Sequence, residues 1–311
     1  YILRSFQSPD LKCQVSYLFF ELFNMIILLL VQPGQPGDAF NQFLITCGDH
    51  DPFDWQVNII ILYLTQTFGE MLLKTKCIIL HQIKYSDSGL IVQAYTRESG
   101  RLSFMVKGMR SKRSGKHNAL FQPLSMLDVI LYYKESRNIH LLREFSVSYT
   151  PSGIFSDVRK SCIAVFLGEM MCNVLREESQ NHELFDHIGN SVKYLNEIKT
   201  GFSNFHIAFL IGLCSYLGFE PGKQTAPDNR YFDLADGRFV AIPPVHGNYA
   251  NEVISDILAG FFSASYESMS SIPLTGSLRN EVLETMVKYY STHLPLLKKV
   301  NSLQVLKEIF S

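Results

Sequence analysis

Residues 75–83 read Thr-Lys-Cys-Ile-Ile-Leu-His-Gln-Ile, residues 90–96 read Leu-Ile-Val-Gln-Ala-Tyr-Thr, and residues 102–107 read Leu-Ser-Phe-Met-Val-Lys. The first two are short and rich in β-branched and aromatic residues, which suit a pleated, half-buried surface, and in the third apolar and polar residues roughly alternate. Turn chemistry separates them. Tyr85-Ser86-Asp87-Ser88-Gly89 lies between the first two, and Glu98-Ser99-Gly100 between the second and third, with Gly100 free to take positive φ. Two further strands are predicted over 124–134 and 138–147, joined by Glu135-Ser136-Arg137. Five such strands in succession predict a small Greek-key barrel of the OB-fold type over 71–150.

Outward from the barrel, the chain divides into three parts. Residues 1–70 lack the regular strand and turn signals that begin at Met71. They are read as an upstream extension with little defined structure, with Met71 the expected natural start. The apolar stretch 17–31 is interrupted by Glu21 and Asn24, and its longest unbroken run is 25–31. That is far short of the ~20 residues needed to span a bilayer, so no membrane association is expected. Beyond Thr150-Pro151-Ser152-Gly153, apolar residues fall at helical spacing. Helices are predicted from 158, from Asn181 as N-cap to about 198, and from Ser203 as N-cap to 217, where Gly218 stops the run. Residues 231–240 predict a hairpin turning at Ala235-Asp236-Gly237, and helices resume over 251–263, 277–293 and 302–310. The fold class is therefore α+β: a five-stranded barrel, then a mostly helical domain over 151–311 with one small hairpin.

The composition supports a globular chain: 47% of the 311 residues are hydrophobic and 18% are charged, enough to bury a sizeable core and unlike a disordered chain. The net charge of -1 hides an asymmetry. Residues 71–150 hold thirteen basic and five acidic residues, an excess of eight positive charges, while the flanking parts are both acidic. A basic domain inside a neutral chain points to a polyanionic partner. The stretch between the third and fourth strands concentrates the signal: Lys107-Gly108-Met109-Arg110-Ser111-Lys112-Arg113-Ser114-Gly115-Lys116-His117. Together with Arg97 and Arg101 beside the preceding turn, the candidate phosphate contacts are Arg97, Arg101, Lys107, Arg110, Lys112, Arg113 and Lys116. Such contacts gain from counterion release and carry no base specificity. Tyr95, Phe104, Tyr132 and Tyr133 on the strands are candidates for base stacking.

Other chemistries find little footing. Gly108 through Gly115-Lys116 is not a P-loop, because six residues separate the glycines and His117 stands where Ser or Thr is required. Cys13, Cys47, Cys77, Cys162, Cys172 and Cys214 show no C-x-x-C spacing. Scattered cysteines fit buried positions in a reducing compartment, and a cytoplasmic location is expected. No H-E-x-x-H or G-x-S-x-G motif is present, and the carboxylates of the barrel are scattered. No catalytic residue, cofactor or enzymatic turnover is expected.

With these pieces placed, residues 71–311 resemble the bacterial recombination mediator RecO family. The resemblance rests on 83–92 (Ile-Lys-Tyr-Ser-Asp-Ser-Gly-Leu-Ile-Val), on 95–103 (Tyr-Thr-Arg-Glu-Ser-Gly-Arg-Leu-Ser) and on Val106-Lys107-Gly108 with the basic stretch. It continues through Phe121-Gln122-Pro123-Leu124, Phe166-Leu167-Gly168-Glu169 and Leu217-Gly218-Phe219-Glu220-Pro221. It implies an OB-fold followed by a helical domain, binding of single- and double-stranded DNA, and annealing of complementary strands. It also implies partnership with RecR and with the tail of single-strand DNA-binding protein, which together load RecA. Many members of that family carry a four-cysteine zinc site after the Leu-Gly-Phe region. This chain has no cysteine after Cys214, so no zinc is expected, and the 231–240 hairpin must be held by packing instead. A single-strand-binding-protein tail is acidic and ends in an apolar residue and a carboxylate. Arg159 and Lys160, beside Val158 and Ile163, are candidates for receiving it. The competing readings are a general RNA-binding OB-fold protein, which leaves the helical domain unexplained, and a nucleic-acid-processing enzyme, which lacks clustered carboxylates.

Overall fold

The computed structural model describes residues 71–86, 89–107, 120–175 and 180–311. The spine of the barrel is β1 (Met71–Ser86). Its first half pairs antiparallel with β4 (Met126–Tyr133), from Met71 opposite Tyr133 to Ile78 opposite Met126. Its second half pairs antiparallel with β2 (Gly89–Thr96). A strand that serves two neighbours must bend, and register shifts between Ile79 and His81 and between Lys84 and Ser86 absorb the bend. β3 (Gly100–Val106) pairs antiparallel with β2, and β5 (His140–Tyr149) antiparallel with β4. A short parallel contact, Phe104 opposite His140 and Met105 opposite Leu141, closes the order β1-β2-β3-β5-β4 into a barrel. This is the five-stranded barrel the sequence predicts, and the chain is mixed α+β.

Several strand boundaries shift from expectation, β5 by two residues at each end, and two of the shifts have a plain cause. β1 starts at Met71 rather than 75, because 71–74 continue the ladder with β4. β4 starts at Met126 rather than 124: Leu124 has φ 69, and its N–H donates to the Ile79 carbonyl at 2.7 Å, which makes it a turn residue.

The barrel interior is filled by alternate residues, among them Cys77, Ile79, Val92, Ala94, Phe104, Leu127 and Val129. The outward-facing Ile78 and Leu80 of β1 are also fully buried, because helices cover that face. The run 77–80 is therefore continuously apolar rather than alternating.

The helical part begins with the single turn α1 (Ser152–Phe155). α2 (Val158–Val174) is capped by Asp157, which accepts from the Arg159 N–H at 2.9 Å. α3 (His182–Glu197) is capped by Asn181, as expected, accepting from the Leu184 N–H at 2.9 Å. α4 (Phe205–Tyr216) follows a 3-10 turn over Phe202–Asn204, so Ser203 is not its cap. The Asn204 amide instead donates to the Met269 and Ile272 carbonyls and accepts from Arg279. Gly218 takes φ 82 after the helix. The expected hairpin is present as β6 (Tyr231–Asp233) and β7 (Arg238–Val240), with Gly237 at φ 65. A third strand, β8 (Tyr249–Ala250), joins β6 on its other side; two residues are too few to reveal a period in sequence. α5 (Glu252–Phe262), α6 (Gly276–His293) and α7 (Ser302–Ile309) complete the chain.

α2 lies directly on β1. A Cβ placed on Gly168 would fall well under 3.0 Å from the Leu80 carbonyl oxygen, so only glycine permits this approach. The neighbouring Glu169 accepts from the N–H groups of Asn301 and Ser302 at 2.8 Å each, and from the Ser302 hydroxyl. It thereby caps α7, whose own Asn301 makes no side-chain cap bond. Barrel and helices share one core, in which Ile78, Leu80 and Tyr95 meet Phe166, Leu167, Met171 and Phe185.

Candidate nucleic-acid interface

Of the seven cations named for phosphate contact, Arg110, Lys112, Arg113 and Lys116 lie outside the described residues. Lys107 directly follows β3 and is exposed. Arg101, on β3, donates from Nη1 to the Cys172 carbonyl at 2.8 Å and so satisfies the last turn of α2. Arg97, at the end of β2, forms a two-pronged ion pair with Asp186 of α3: Nη1 engages Oδ1, and Nη2 donates to Oδ2 at 3.1 Å. Its guanidinium also lies 5.6 Å from the Phe185 ring centroid. Both arginines hold the barrel to the helices in this structure.

The aromatics divide similarly. Tyr95 is buried and stacks on Phe185 with centroids 6.5 Å apart, and Phe104 is buried inside the barrel. Neither is available to a base, which corrects the sequence reading for both. Tyr132 and Tyr133 are half-buried, and Tyr133 stacks on His140 at 4.6 Å.

A cavity of 320 Å³ opens between the barrel and one face of α3. Lys76 from β1, Arg97 from β2 and Lys193 from α3 line it with Tyr149, Asp186 and Asn190. Among the described residues Asp186 is the one carboxylate that lines it. The Arg97 hydrogen bond, foremost, holds the Asp186 carboxyl below the usual carboxylate range, and the charges of Arg97, His182 and Lys193 add to it. Lys76 and Lys193 were not singled out from sequence, although the signal was present. Lys76 sits between the buried Thr75 and Cys77 on a strand and must point outward. Asp186, Asn190 and Lys193 fall on one face of a helix.

The candidate partner site is split by burial. Arg159 is exposed, 4.9 Å over the Phe202 ring, beside the exposed Val158. Lys160 is 3% exposed, and its Nζ donates to the Asn196 and Ile198 carbonyls at the end of α3. As a surface cation Lys160 is therefore corrected: it serves the unsatisfied carbonyls of a helix C-terminus.

In the segment after the Leu-Gly-Phe region, Asp233 organises the hairpin. Its Oδ1 accepts from the Ala235 and Asp236 N–H groups at 2.8 and 3.3 Å, and its Oδ2 meets His246 Nε2 at 3.2 Å. Phe232 packs there against Phe239, Phe262 and Tyr289. Among the described residues no three His, Cys, Asp or Glu side chains gather as a metal site. Burial pushes the Cys172 and Cys214 thiols up to about 12 and raises Cys77 and Cys162 as well, so none of these four is a thiolate nucleophile at neutral pH. Among the described residues no helix is long and apolar enough to cross a membrane.

Comparison with known proteins adds two consecutive family matches. The family model described as recombination protein O N terminal matches residues 71–150, and that described as recombination protein O C terminal matches residues 156–303. The chain is 37% identical over 241 residues to the DNA repair protein RecO of Phocaeicola vulgatus, covering 78% of this chain and 100% of the relative. It is 35% identical over 242 residues to the protein of that name from Bacteroides fragilis, and 32% identical over 244 residues to that from Porphyromonas gingivalis. Each of those matches covers 77% of this chain and the whole of the relative.

Proposed function

The chain belongs to the RecO family, whose curated relatives are DNA repair proteins, and from that premise we propose that it is a non-enzymatic recombination mediator. In this reading it binds single- and double-stranded DNA through its basic barrel and anneals complementary strands. With RecR and the tail of single-strand DNA-binding protein, it helps load RecA, in the cytoplasm and at the nucleoid. The observation that carries the reading is the pair of family matches in order along the chain, with the first coinciding with a closed five-stranded barrel of strongly positive sequence. Annealing fits such a surface physically. Cations that hold two phosphate backbones reduce the repulsion between strands and leave the base edges free to pair.

Phosphate contact is assigned to Lys107, Arg110, Lys112, Arg113 and Lys116. Arg101 is assigned to structure, since its Nη1 donates to the Cys172 carbonyl of α2. For the acidic tail, Arg159 and the exposed Val158 offer a cation beside an apolar side chain. The test is equilibrium binding of a labelled single-stranded DNA to the full chain, with unlabelled DNA or RNA of the same sequence as competitor. Displacement by DNA at lower concentration than by RNA supports the reading. Preferential displacement by RNA would replace it with the RNA-binding one.

A further inference from the structure

We infer that the cleft between the barrel and α3 is a second phosphodiester station, in which Asp186 holds Arg97 in the place a backbone phosphate takes when DNA is bound. The inference rests on the reading of the chain as a DNA-binding protein and specifies where the strand passes beyond the barrel.

The geometry supplies three arguments. First, three elements bring cations to one cavity: Lys76 from β1, Arg97 from the end of β2 and Lys193 from α3. Lys76 and Lys193 enter no ion pair among the described residues, although Asp128 stands opposite Lys76 in the strand register. Second, Asp186, the carboxylate that lines the cavity among the described residues, faces Arg97 with both oxygens, the planar fork by which a guanidinium also grips phosphate. A carboxylate in that position is an internal competitor for an anion. Third, the space suits the ligand. A cavity of 320 Å³ lies at the small end of ligand-sized pockets, which fits one or two backbone units rather than a duplex. Half of Asp186's side chain is solvent-exposed, so an incoming phosphate reaches the pair without unfolding anything.

Exchange at Arg97 would couple DNA binding to the joint between barrel and helices. A strand in the cleft takes the guanidinium from Asp186 and leaves that carboxylate facing Lys193, whose charge already acts on it. The cleft then holds the strand by three cations contributed from both parts of the chain.

The test uses the full chain and a labelled oligo-dT, with affinity measured across a salt series. Asp186→Asn removes the competitor. It is expected to bind about two- to fivefold more tightly at moderate salt, the scale on which an exposed ion pair competes, with the log–log salt slope kept at the wild-type value, because Arg97 contacts a phosphate in both complexes. Asp256→Asn, on the exposed side of α5, makes the same change in net charge and should leave the affinity near the wild-type value. Lys76→Ala with Lys193→Ala, both exposed, should flatten the slope by about 1.4; this arm decides the matter if Asp186→Asn misfolds. A wild-type affinity for Asp186→Asn together with a wild-type slope for the double lysine variant would overturn the station while leaving DNA binding by the barrel intact. A wild-type chain that fails to bind oligo-dT at all would overturn both.

Discussion

Replacing Gly168 by alanine should destabilise the protein, although the same change in most helix interiors does the reverse. Glycine in a helix interior costs about 1 kcal/mol relative to alanine, so propensity alone predicts a gain. Packing opposes it. The added Cβ would stand well under 3.0 Å from the Leu80 carbonyl oxygen and 3.3 Å from both the Leu80 carbonyl carbon and Pro123 Cβ. The closest obstacle is backbone, so no rotamer change relieves it, and α2 must retreat from β1 by on the order of 1 Å to restore ordinary contact. A gap of that size forfeits roughly a quarter to a half of the dispersion energy of each contact along the seam, where Ile78 and Leu80 meet Leu167 and Met171. Overpacking of this kind costs ~1–3 kcal/mol, and occasionally more. A rigid obstacle places Gly168 at the upper end, for a net loss of about 2 kcal/mol. At roughly 2–4 °C per kcal/mol, Tm should fall by about 4–8 °C. Gly189→Ala in α3 is the matched control, since its Cβ would meet only Met126 Cε at 3.8 Å. Propensity should win there and raise Tm by about 2–4 °C. Thermal melts of the two variants beside wild type decide it. A Gly168→Ala protein as stable as wild type would refute the close seating of α2 on β1.

Three further outcomes follow from the same structure. Glu169→Gln should cost about 1 kcal/mol at neutral pH, the usual worth of a helix cap. Burial opposes ionisation of Glu169, but hydrogen bonds from Ser302 and Asn301 outweigh it and hold its pKa below the usual range, so its stabilisation should fade as pH falls below about 4; urea melts at pH 7 and pH 3 should show the gap between variant and wild type closing in acid. Burial lowers His206 to about 3, helped by the nearby Arg279 charge, and its Nδ1 has no partner among the described residues. The unfolded chain therefore takes up a proton that the folded one refuses: this stability is complete above about pH 6.5 and drains away down to about pH 3, and His206→Phe should flatten that slope in a pH series of melts. A Lys112→Ala, Arg113→Ala, Lys116→Ala triple variant should weaken DNA binding and reduce the salt slope by about 2–3, and an unchanged slope would remove the basic stretch from the interface.

The barrel was readable because its strands obey local rules: β-rich runs, turn residues between them and alternation along β3. Asn181 and Gly218 were readable as helix boundaries for the same reason, since each signal sits within a few residues of the element it ends. What escaped depends on distance in sequence. Nothing near Ser302 shows that its helix is capped by Glu169, 133 positions earlier. Nothing near Lys160 shows that the end of another helix takes its ammonium inward. Arg97 and Arg101 read as free cations because their partners, Asp186 and Cys172, lie on helices that return to the barrel only in the fold. Tyr95 and Phe104 show the same limit: on a strand, an aromatic facing a core and one facing a groove look alike until the covering layer is known. Gly168 lies within the family-like segment 166–169, but its reason, a helix backbone resting on a strand, exists only in three dimensions.

The most direct test of the central claim is the annealing of complementary oligonucleotides, each coated with single-strand DNA-binding protein, with and without the full chain at two salt concentrations. The account predicts faster annealing without added nucleotide, a weaker effect at high salt, and recovery of both strands at full length in the presence of magnesium. Unaccelerated annealing by folded protein, or cleavage of the strands, would contradict it.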